Sequence, residues 1–171
     1  SNTVQATTKA LPLPPANISL TSNEVKKVTI SWSLNDDQDI GGYIVYRIEK
    51  DGEFEKLETL KSNIAIYEDD GGFFSKLEHG TQYSYAISSF NTYDVEGPKS
   101  PIYIADTKSL PNKVMGLEGQ FLGTQATFNW QKNSEADIQE YWVYRSRGCK
   151  TLRKLMTLSS TSTNFTDSDV E

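Results

Sequence analysis

Asp39-Ile-Gly-Gly-Tyr-Ile-Val-Tyr-Arg47 is the stretch of this 171-residue sequence on which the fold prediction depends, because a close variant of it recurs. After an offset of 98 positions the chain reads Asp137-Ile-Gln-Glu-Tyr-Trp-Val-Tyr-Arg145. The same offset relates five further pairs of residues, namely Trp32 and Trp130, Leu57 and Leu155, Leu60 and Leu158, Tyr67 and Phe165, and Asp69 and Asp167. A repeat close to one domain length indicates tandem domains, each with its own core.

The composition is that of a globular chain rich in aromatic residues. Hydrophobic residues make up 36% of it, with nine Tyr, seven Phe and three Trp, which suits small sheet proteins. The net charge of -6 comes entirely from residues 1–111, and it argues against nucleic acid as a partner because phosphate binding needs clustered Lys and Arg. Neither a membrane span nor a signal peptide is predicted in the sequence as given. The single cysteine, Cys149, cannot form an internal disulfide.

The beginning of the sequence is predicted to be the tail of a preceding module. Thr8-Lys-Ala-Leu-Pro12 is closely repeated as Thr107-Lys-Ser-Leu-Pro111, and the later copy lies where the first repeat ends. We therefore expect a tail or linker over residues 1–10, a first domain over residues 11–108 and a second domain over residues 109–171. We therefore expect this sequence to be a segment of a longer array of such domains.

Alternation of apolar and polar residues predicts short strands with one buried face. The side chains expected in the cores are Val28, Ile30, Trp32, Tyr43 and Val45 and, in the second copy, Ala126, Phe128 and Trp130. By the same alternation Ile44 and Tyr46 are predicted to face outward.

The segment from Leu77 to Tyr83 gives the sharpest indication of the topology. A Leu, a turn Gly and a Tyr at this spacing, followed by an alternating strand, are typical of a tyrosine corner. In that motif the hydroxyl of Tyr83 bonds to the backbone upstream and fixes the crossing between two sheets. Seven short strands, with a buried Trp on the second, predict a Greek-key β-sandwich.

Together these motifs resemble a fibronectin type III domain. They are Trp32, Gly42-Tyr-Ile-Val-Tyr-Arg47, Leu77-x-x-Gly80-Thr81-x-Tyr83 and Gly97-Pro98-x-Ser100. The resemblance covers residues 13–107 and resumes from Pro111, but the counterparts of Leu77, Gly80 and Tyr83 would fall beyond residue 171. The expected fold class is all-β, with tandem immunoglobulin-like Greek-key β-sandwiches, the second lacking its last two strands.

An incomplete second domain would have an open sheet. We expect one sheet to lose two of its three strands, which leaves Trp130 and Tyr141 uncovered and one strand edge ready to pair. Three covers are considered: further strands of the same domain, another chain, or the first domain. The second of these includes self-association of this chain.

The sequence predicts neither catalysis nor a metal or cofactor site. His79 is interpreted as a solvated loop residue, and Cys149 as an incidental turn cysteine, although the neighbouring cations favour a reactive thiolate. Residues 35–39 resemble a calcium loop faintly, without the Gly and Glu that such a loop requires at its sixth and twelfth positions. Asp39 is therefore interpreted as a turn-stabilising carboxylate.

The second domain carries the predicted ligand-binding surface. Trp142 replaces Ile44 and is expected to point outward with Tyr144, and exposed aromatic residues are frequent in protein interfaces and sugar-stacking sites. A basic run lies next to them in the sequence: Arg145, Arg147, Lys150, Arg153 and Lys154. Its charge favours an acidic protein or an anionic glycan as ligand. In the alternative interpretation, neighbouring long side chains cover the aromatic residues and the basic run is a solvated hairpin.

The predicted function is non-catalytic binding. The Asp-Ile-x-Gly-Tyr-x-Val-Tyr-Arg pattern resembles bacterial fibronectin type III domains. Residues 7–12 and the Ser89-Phe-Asn91 stretch are similar to the fibronectin-binding lipoprotein adhesins of Campylobacter and its relatives. This resemblance implies a location outside the cell or on the cell envelope, and attachment to a host matrix protein such as fibronectin. The alternative is a spacer or accessory segment of an exported carbohydrate-active or other enzyme, and an intracellular scaffold is retained as a third class.

Overall fold

The computed structural model describes residues 9–48, 52–72, 76–148 and 150–170. Over these ranges the chain is all-β, with twelve strands. It divides into two compact units, residues 1–110 and residues 111–171, which we call unit 1 and unit 2. Cys149 and most of the predicted tail lie outside the described residues.

Unit 1 is a complete sandwich of two antiparallel sheets. Its strands are β1 (Ala16–Leu20), β2 (Val28–Ser33), β3 (Ile40–Ile48), β4 (Phe54–Lys61), β5 (Ile66–Asp69), β6 (Gln82–Asn91) and β7 (Tyr103–Asp106). The sheet orders are β1-β2-β5 and β4-β3-β6-β7. Because β4 pairs with β3, the second sheet has four strands. The sequence analysis expected three strands in this sheet, and that number was wrong.

The core of unit 1 lies between these sheets and is aromatic and aliphatic. Val28 and Ile30 are fully buried, as the alternation predicted. Trp32 packs edge-on against Tyr43, with ring centroids 5.5 Å apart and an interplanar angle of 61°. The hydroxyl of Tyr43 also accepts a hydrogen bond from the backbone N–H of Asn35 at 2.8 Å. This bond ties the loop after β2 to the strand that follows it.

The tyrosine corner is confirmed. The hydroxyl of Tyr83, in β6, accepts a hydrogen bond from the backbone N–H of Glu78 at 2.9 Å. Gly80 in the intervening turn has a φ of +59°, and a Cβ there would lie 2.9 Å from the hydroxyl oxygen of Ser109. The backbone conformation therefore favours glycine at this turn, and a larger residue would also have to displace the Ser109 hydroxyl.

The outer face of β3 differs from the prediction. Ile44 and Tyr46 lie outside the core cluster, as the alternation predicted, but both are buried, at 9% and 7% exposed. Tyr46 meets the ring of Phe54 edge-on at 6.0 Å and lies under the ammonium of Lys99 at 4.3 Å. Its hydroxyl donates to Glu96 at 2.7 Å. Residues distant in the sequence therefore cover this face.

Unit 2 repeats the first five strands of the sandwich. They are β8 (Met115–Leu122), β9 (Gln125–Gln131), β10 (Glu140–Arg145), β11 (Arg153–Ser159) and β12 (Asn164–Asp167). The sheet β12-β9-β8 corresponds to β5-β2-β1, and the pair β10-β11 corresponds to β3-β4. Within the described part of the chain, β10 pairs with β11 alone. In its described residues unit 2 thus has the first five strands of an immunoglobulin-like sandwich, and no counterpart of β6 or β7 is among them.

The inner aromatic pair is preserved in unit 2. Trp130 packs edge-on against Tyr141, with centroids 5.6 Å apart and an angle of 62°. The hydroxyl of Tyr141 accepts a hydrogen bond from the backbone N–H of Asn133 at 2.9 Å. Tyr141 is only 9% exposed and Trp130 is half-buried, so the expectation that both would be uncovered was wrong for Tyr141.

Candidate functional site

The two aromatic residues predicted to bind a ligand lie on the outer face of β10. Trp142 is 56% exposed and Tyr144 is 45% exposed. At the corresponding positions of β3, Ile44 and Tyr46 are buried. The same strand position is therefore covered in unit 1 and open in unit 2.

Two neighbouring side chains hold the exposed Trp142. The ammonium of Lys154 lies 4.0 Å from the centre of its ring, a cation–π contact. The indole N–H donates to the carboxylate of Glu140. A long side chain thus covers one side of the indole, as the alternative interpretation expected, but more than half of the residue is still exposed to solvent.

The basic residues gather around a shallow cavity of about 450 Å³, which we call the basic cavity. Its lining residues are Arg145, Ser146, Arg147, Lys150, Thr151, Arg153, Asp169 and Val170. Four of the five predicted basic residues therefore come together here, while the fifth, Lys154, contacts Trp142. The structure places the seven predicted residues in two adjoining groups on β10, β11 and the turn between them.

Arg145 has a structural contact that the sequence interpretation missed. Its guanidinium lies 2.7 Å from the carboxylate of Asp167 and 2.7 Å from the backbone carbonyl of Asp169. No acidic residue lies within the basic run in the sequence. The fold nevertheless places Asp167 and Asp169 beside Arg145, the first residue of the run. The repeat contained the signal, because Arg47 and Asp69 recur at the same offset and pair in unit 1 at 3.0 Å.

One difference between the units adds positive charge directly opposite Arg145. Arg153 lies directly opposite Arg145 in the β10-β11 pair. The corresponding residue of unit 1 is Glu55, which forms an ion pair with Arg47 at 2.7 Å. Like charges in this cross-strand position destabilise a sheet. Arg153 therefore gives unit 2 a site attractive to carboxylates and sulfates rather than a contribution to its stability.

An apolar cleft of about 240 Å³, not predicted from the sequence, is also present in unit 2. Its lining residues are Val114, Leu117, Phe128, Trp130, Tyr141, Trp142, Val143, Tyr144 and Phe165. Phe128 and Trp130 had been interpreted as core, and their counterparts Ile30 and Trp32 are core residues of unit 1. The apolar cleft therefore marks core positions that are left without a cover.

The corresponding outer surface of unit 1 is closed by a polar cluster. Glu96 accepts hydrogen bonds from the hydroxyls of Tyr46 at 2.7 Å and Ser88 at 2.6 Å. Burial raises the pKa of Tyr46 to about 12, and the Glu96 carboxylate adds to this shift. Burial opposes ionisation of Glu96, but the bonds from Ser88 and Tyr46 hold its pKa below the ordinary value. The cluster is stable as a neutral tyrosine beside a carboxylate.

The two residues weighed as catalytic or metal candidates have local roles. His79 is half-buried, and its Nδ1 lies 3.2 Å from the backbone carbonyl of Lys108, so it is not simply a solvated loop residue. The carboxylate of Asp39 pairs with Lys9 and also accepts a hydrogen bond from its own backbone N–H. Among the residues that the structure describes, no group of three or more His, Cys, Asp or Glu side chains is arranged to hold a metal ion.

A search of the described ranges for a helix long and apolar enough to cross a membrane finds none.

No family model matches the sequence, and no curated protein matches it. Several solved structures are similar to this chain. The fn3 domain of human contactin 1 has a TM-score of 0.49 and 16% identity, covering 68% of this chain and 95% of that one. The FN1-FN3 domains of chicken CNTN1 have a TM-score of 0.48 and 15% identity, covering 96% of this chain. A β-1,2-glucanase from Parabacteroides distasonis has a TM-score of 0.46 and 19% identity, covering 61% of this chain.

The chain spans 60% of the length of the chicken protein chain and 14% of the glucanase. At these identities and TM-scores the likeness carries no conclusion about the activity, ligand or partners of this chain.

Proposed function

We propose that this chain is a non-catalytic binding segment of a bacterial cell-surface adhesin, and that unit 2 contacts a host matrix protein such as fibronectin. The observation that carries the proposal is the exposure of Trp142, at 56%, where the repeated position in unit 1 is buried. Beside this tryptophan lie Lys154 and the basic cavity. Such a surface is suited to binding.

The chemistry of this surface suits an acidic protein partner. A tryptophan held in place by neighbouring side chains is a typical anchor in protein interfaces, because it buries a large area with little loss of conformational freedom. Basic residues beside such an anchor attract an acidic partner and speed its association. This local positive charge stands out in a chain whose net charge is -6.

The resemblance of residues 7–12 and of the Ser89-Phe-Asn91 stretch to fibronectin-binding lipoprotein adhesins supports the biological setting. A host matrix protein is met outside the bacterial cell. The proposed location is therefore extracellular or on the cell envelope.

The test is binding of the whole chain to immobilised fibronectin at physiological salt, measured by biolayer interferometry. Saturable binding is expected, and Trp142→Ala is expected to weaken it by about tenfold or more, as loss of an aromatic anchor does. Lys150→Glu is expected to slow association and to reduce the dependence on salt. The matched control is Tyr93→Ala, since Tyr93 is an exposed aromatic residue of unit 1, at 79%, and its loss should leave binding unchanged.

Three results would count against the proposal. Equal loss of binding in Trp142→Ala and Tyr93→Ala would move the contact away from unit 2. A chain that is folded by circular dichroism but binds neither fibronectin, laminin nor collagen would favour the spacer role instead. Binding to heparin without binding to these proteins would identify an anionic glycan as the partner class.

A further inference from the structure

Glu140, the first residue of β10, differs in kind from its counterpart in unit 1. There the position is Gly42, where a Cβ would collide with the backbone carbonyl oxygen of Leu60. In unit 2 the position holds a glutamate two residues before Trp142. Alternate residues of a strand face the same side of a sheet, so Glu140 and Trp142 differ from unit 1 together on one outward face.

The carboxylate of Glu140 holds the indole of Trp142 by its polar atom. An indole N–H is a donor only, and here it donates to Glu140. With this donor in use, the ring offers a partner no N–H hydrogen bond. What it still offers is a large apolar surface, since Trp142 is 56% exposed. The group that packs against this ring is therefore apolar or aromatic.

Lys154 of β11 gives the same ring a cationic neighbour. Its ammonium lies 4.0 Å from the centre of the Trp142 ring. The equivalent Lys56 of unit 1 lies opposite Tyr46, whose cation–π partner is Lys99 instead. An ammonium has three N–H donors, so it can bond to a carboxylate while it stays over a ring. The cation therefore supplies the hydrogen bonds that the indole does not.

The two charged neighbours make the surroundings of the ring asymmetric. Glu140 places negative charge at the N–H edge, and Lys154 places positive charge over one face. An acidic group beside the ring is attracted on the Lys154 side and repelled on the Glu140 side. The three residues lie on β10 and β11, and the pairing of these strands holds them together.

We propose that Glu140, Trp142 and Lys154 form a subsite for an acidic peptide segment in which an apolar side chain lies next to a carboxylate. The apolar side chain packs on the exposed surface of the indole, and the carboxylate bonds to Lys154. Glu140 is a positioning residue, because it holds the indole and sets the direction of the segment. This inference rests on the proposed function, since it names the element of the protein partner that Trp142 takes.

A glycan fits this subsite less well. A sugar that stacks on a tryptophan has hydroxyl groups that need hydrogen-bond partners around the ring. Here Glu140 uses the indole N–H, and Lys154 occupies one face of the ring. An anionic glycan would in addition meet the negative charge of Glu140. The chemistry beside the ring therefore favours a peptide.

The first experiment needs no ligand and uses the indole N–H signals of the whole chain in NMR spectra. Glu140→Ala is expected to speed solvent exchange of the Trp142 indole proton by about tenfold, because the proton loses its acceptor. Glu140→Gln keeps a carbonyl acceptor and is expected to restore slow exchange. The indole proton of Trp32, which is buried, is the internal reference. Exchange that stays slow in Glu140→Ala would overturn the positioning role.

The second experiment titrates the whole chain with a synthetic peptide of one phenylalanine followed by three aspartates. A saturable shift of the Trp142 indole signal is expected. Lys154→Met keeps the apolar stem and is expected to weaken peptide binding by about tenfold, since it removes a charged hydrogen-bond donor. Lys154→Arg should restore binding. The matched control is Lys56→Met, which removes the same charge at the equivalent position of unit 1 and should leave binding unchanged.

The direction of the segment has its own test. A peptide with aspartates on both sides of the phenylalanine is expected to bind about threefold more tightly to Glu140→Gln than to the unsubstituted chain, because a like-charge contact is removed. The one-sided peptide should show no such gain. Equal gains for both peptides would overturn the assigned direction.

Two results would overturn the subsite itself. One is equal peptide affinity in Lys154→Met and the unsubstituted chain. The other is a Trp142 shift with heparin and none with the peptide, which would make an anionic glycan the occupant. The proposed function fails separately. If fibronectin binding is weakened by Trp142→Ala but not by Lys154→Met, the subsite alone is wrong, and if the peptide binds while fibronectin does not, the matrix partner alone is wrong.

Discussion

Unit 1 and unit 2 have the same internal geometry but very different burial. Their tryptophan–tyrosine pairs agree to 0.1 Å and 1°, at 5.5 Å and 61° in unit 1 and 5.6 Å and 62° in unit 2. The tyrosine hydroxyls accept equivalent backbone bonds, at 2.8 Å and 2.9 Å. Yet Tyr43 and Val45 are fully buried, whereas unit 2 has an apolar cleft beside Tyr141 and an exposed Trp142.

The two units show that contacts between residues near in the sequence form independently of burial by distant strands. The aromatic pair and its backbone bond join residues about ten positions apart, so a short stretch of sequence is enough to form them. Burial of the same side chains depends on β6 and β7, which follow much later along the chain. A local motif can therefore be complete in a unit whose core is not.

The largest difference is expected in local stability. Since β3 is paired on both edges and β10 on one, amides of β3 and β6 should exchange with solvent at least about a thousandfold more slowly than those of β8 and β10. Native-state hydrogen exchange followed by NMR measures this directly. Equal protection in β3 and β10 would show that β10 is covered in solution, and the two units would then not differ in local stability.

The repeated ion pairs should respond unequally to the same substitution. Asp69→Ala is expected to destabilise unit 1 by about 3 kcal/mol, because it removes the buried partner of the Arg47 guanidinium and leaves the half-exposed Glu55. Asp167→Ala should cost unit 2 less than about 1 kcal/mol, since the side chain of Arg145 is 41% exposed and can be hydrated. Urea unfolding with NMR signals resolved for each unit gives both values. Equal costs would mean that Arg145 is as well covered as Arg47.

Loss of the tyrosine hydroxyls should have equal effects in the two units. Tyr43→Phe and Tyr141→Phe each remove one acceptor of a backbone N–H and are each expected to cost about 1 kcal/mol. The same urea experiment measures this. A much smaller effect for Tyr141→Phe would show that the Asn133 bond is not maintained in the open unit, and the local geometry would then depend on the missing cover.

The smallest effect is expected at alkaline pH and in unit 1. The pKa of Tyr46 is raised to about 12, so the folded state holds a proton that the unfolded chain releases near pH 10. Its contribution to stability is therefore complete below about pH 10 and is lost as the pH rises towards 12. Unfolding of unit 1 as a function of pH should show this loss, and Tyr46→Phe should reduce it. No difference between the two proteins would mean that the hydroxyl is solvated.

The sequence predicted the parts of the fold that depend on period and on repetition. The alternation of Val28, Ile30 and Trp32 correctly assigned the buried face of β2, and the spacing of Leu77, Gly80 and Tyr83 correctly predicted the tyrosine corner. Each of these signals comes from residues close together in the chain. The sequence also predicted the outward direction of Ile44 and Tyr46, but not their burial.

The features that the sequence did not predict depend on contacts between residues far apart in the chain. Tyr46 is covered by Lys99 and Glu96, which lie about fifty positions later, and no period in the sequence connects them. The partner of Arg145 is Asp167 for the same reason, although the duplicated Arg47 and Asp69 contained that signal. The proposed binding surface was found as separate aromatic and basic residues, and the pairing of β10 with β11 is what makes them neighbours.

The segment that precedes β1 has a mechanical consequence. In unit 1 the carbonyl of Leu13 accepts hydrogen bonds from the side chains of Asn35 and Ser89. In unit 2 the carbonyl of Asn112 accepts the equivalent bond from Asn133. Ser89 belongs to β6, so unit 2 has no described counterpart of that second attachment. The backbone N–H of Asn112 also donates to Glu135 at 2.7 Å, so both attachments of the unit 2 segment go to the loop between β9 and β10. If the chain is pulled, the leading segment of unit 1 is held by a loop and by a strand of the second sheet, whereas that of unit 2 is held by one loop. Unit 2 is therefore the first to extend under load, and unit 1 keeps its shape.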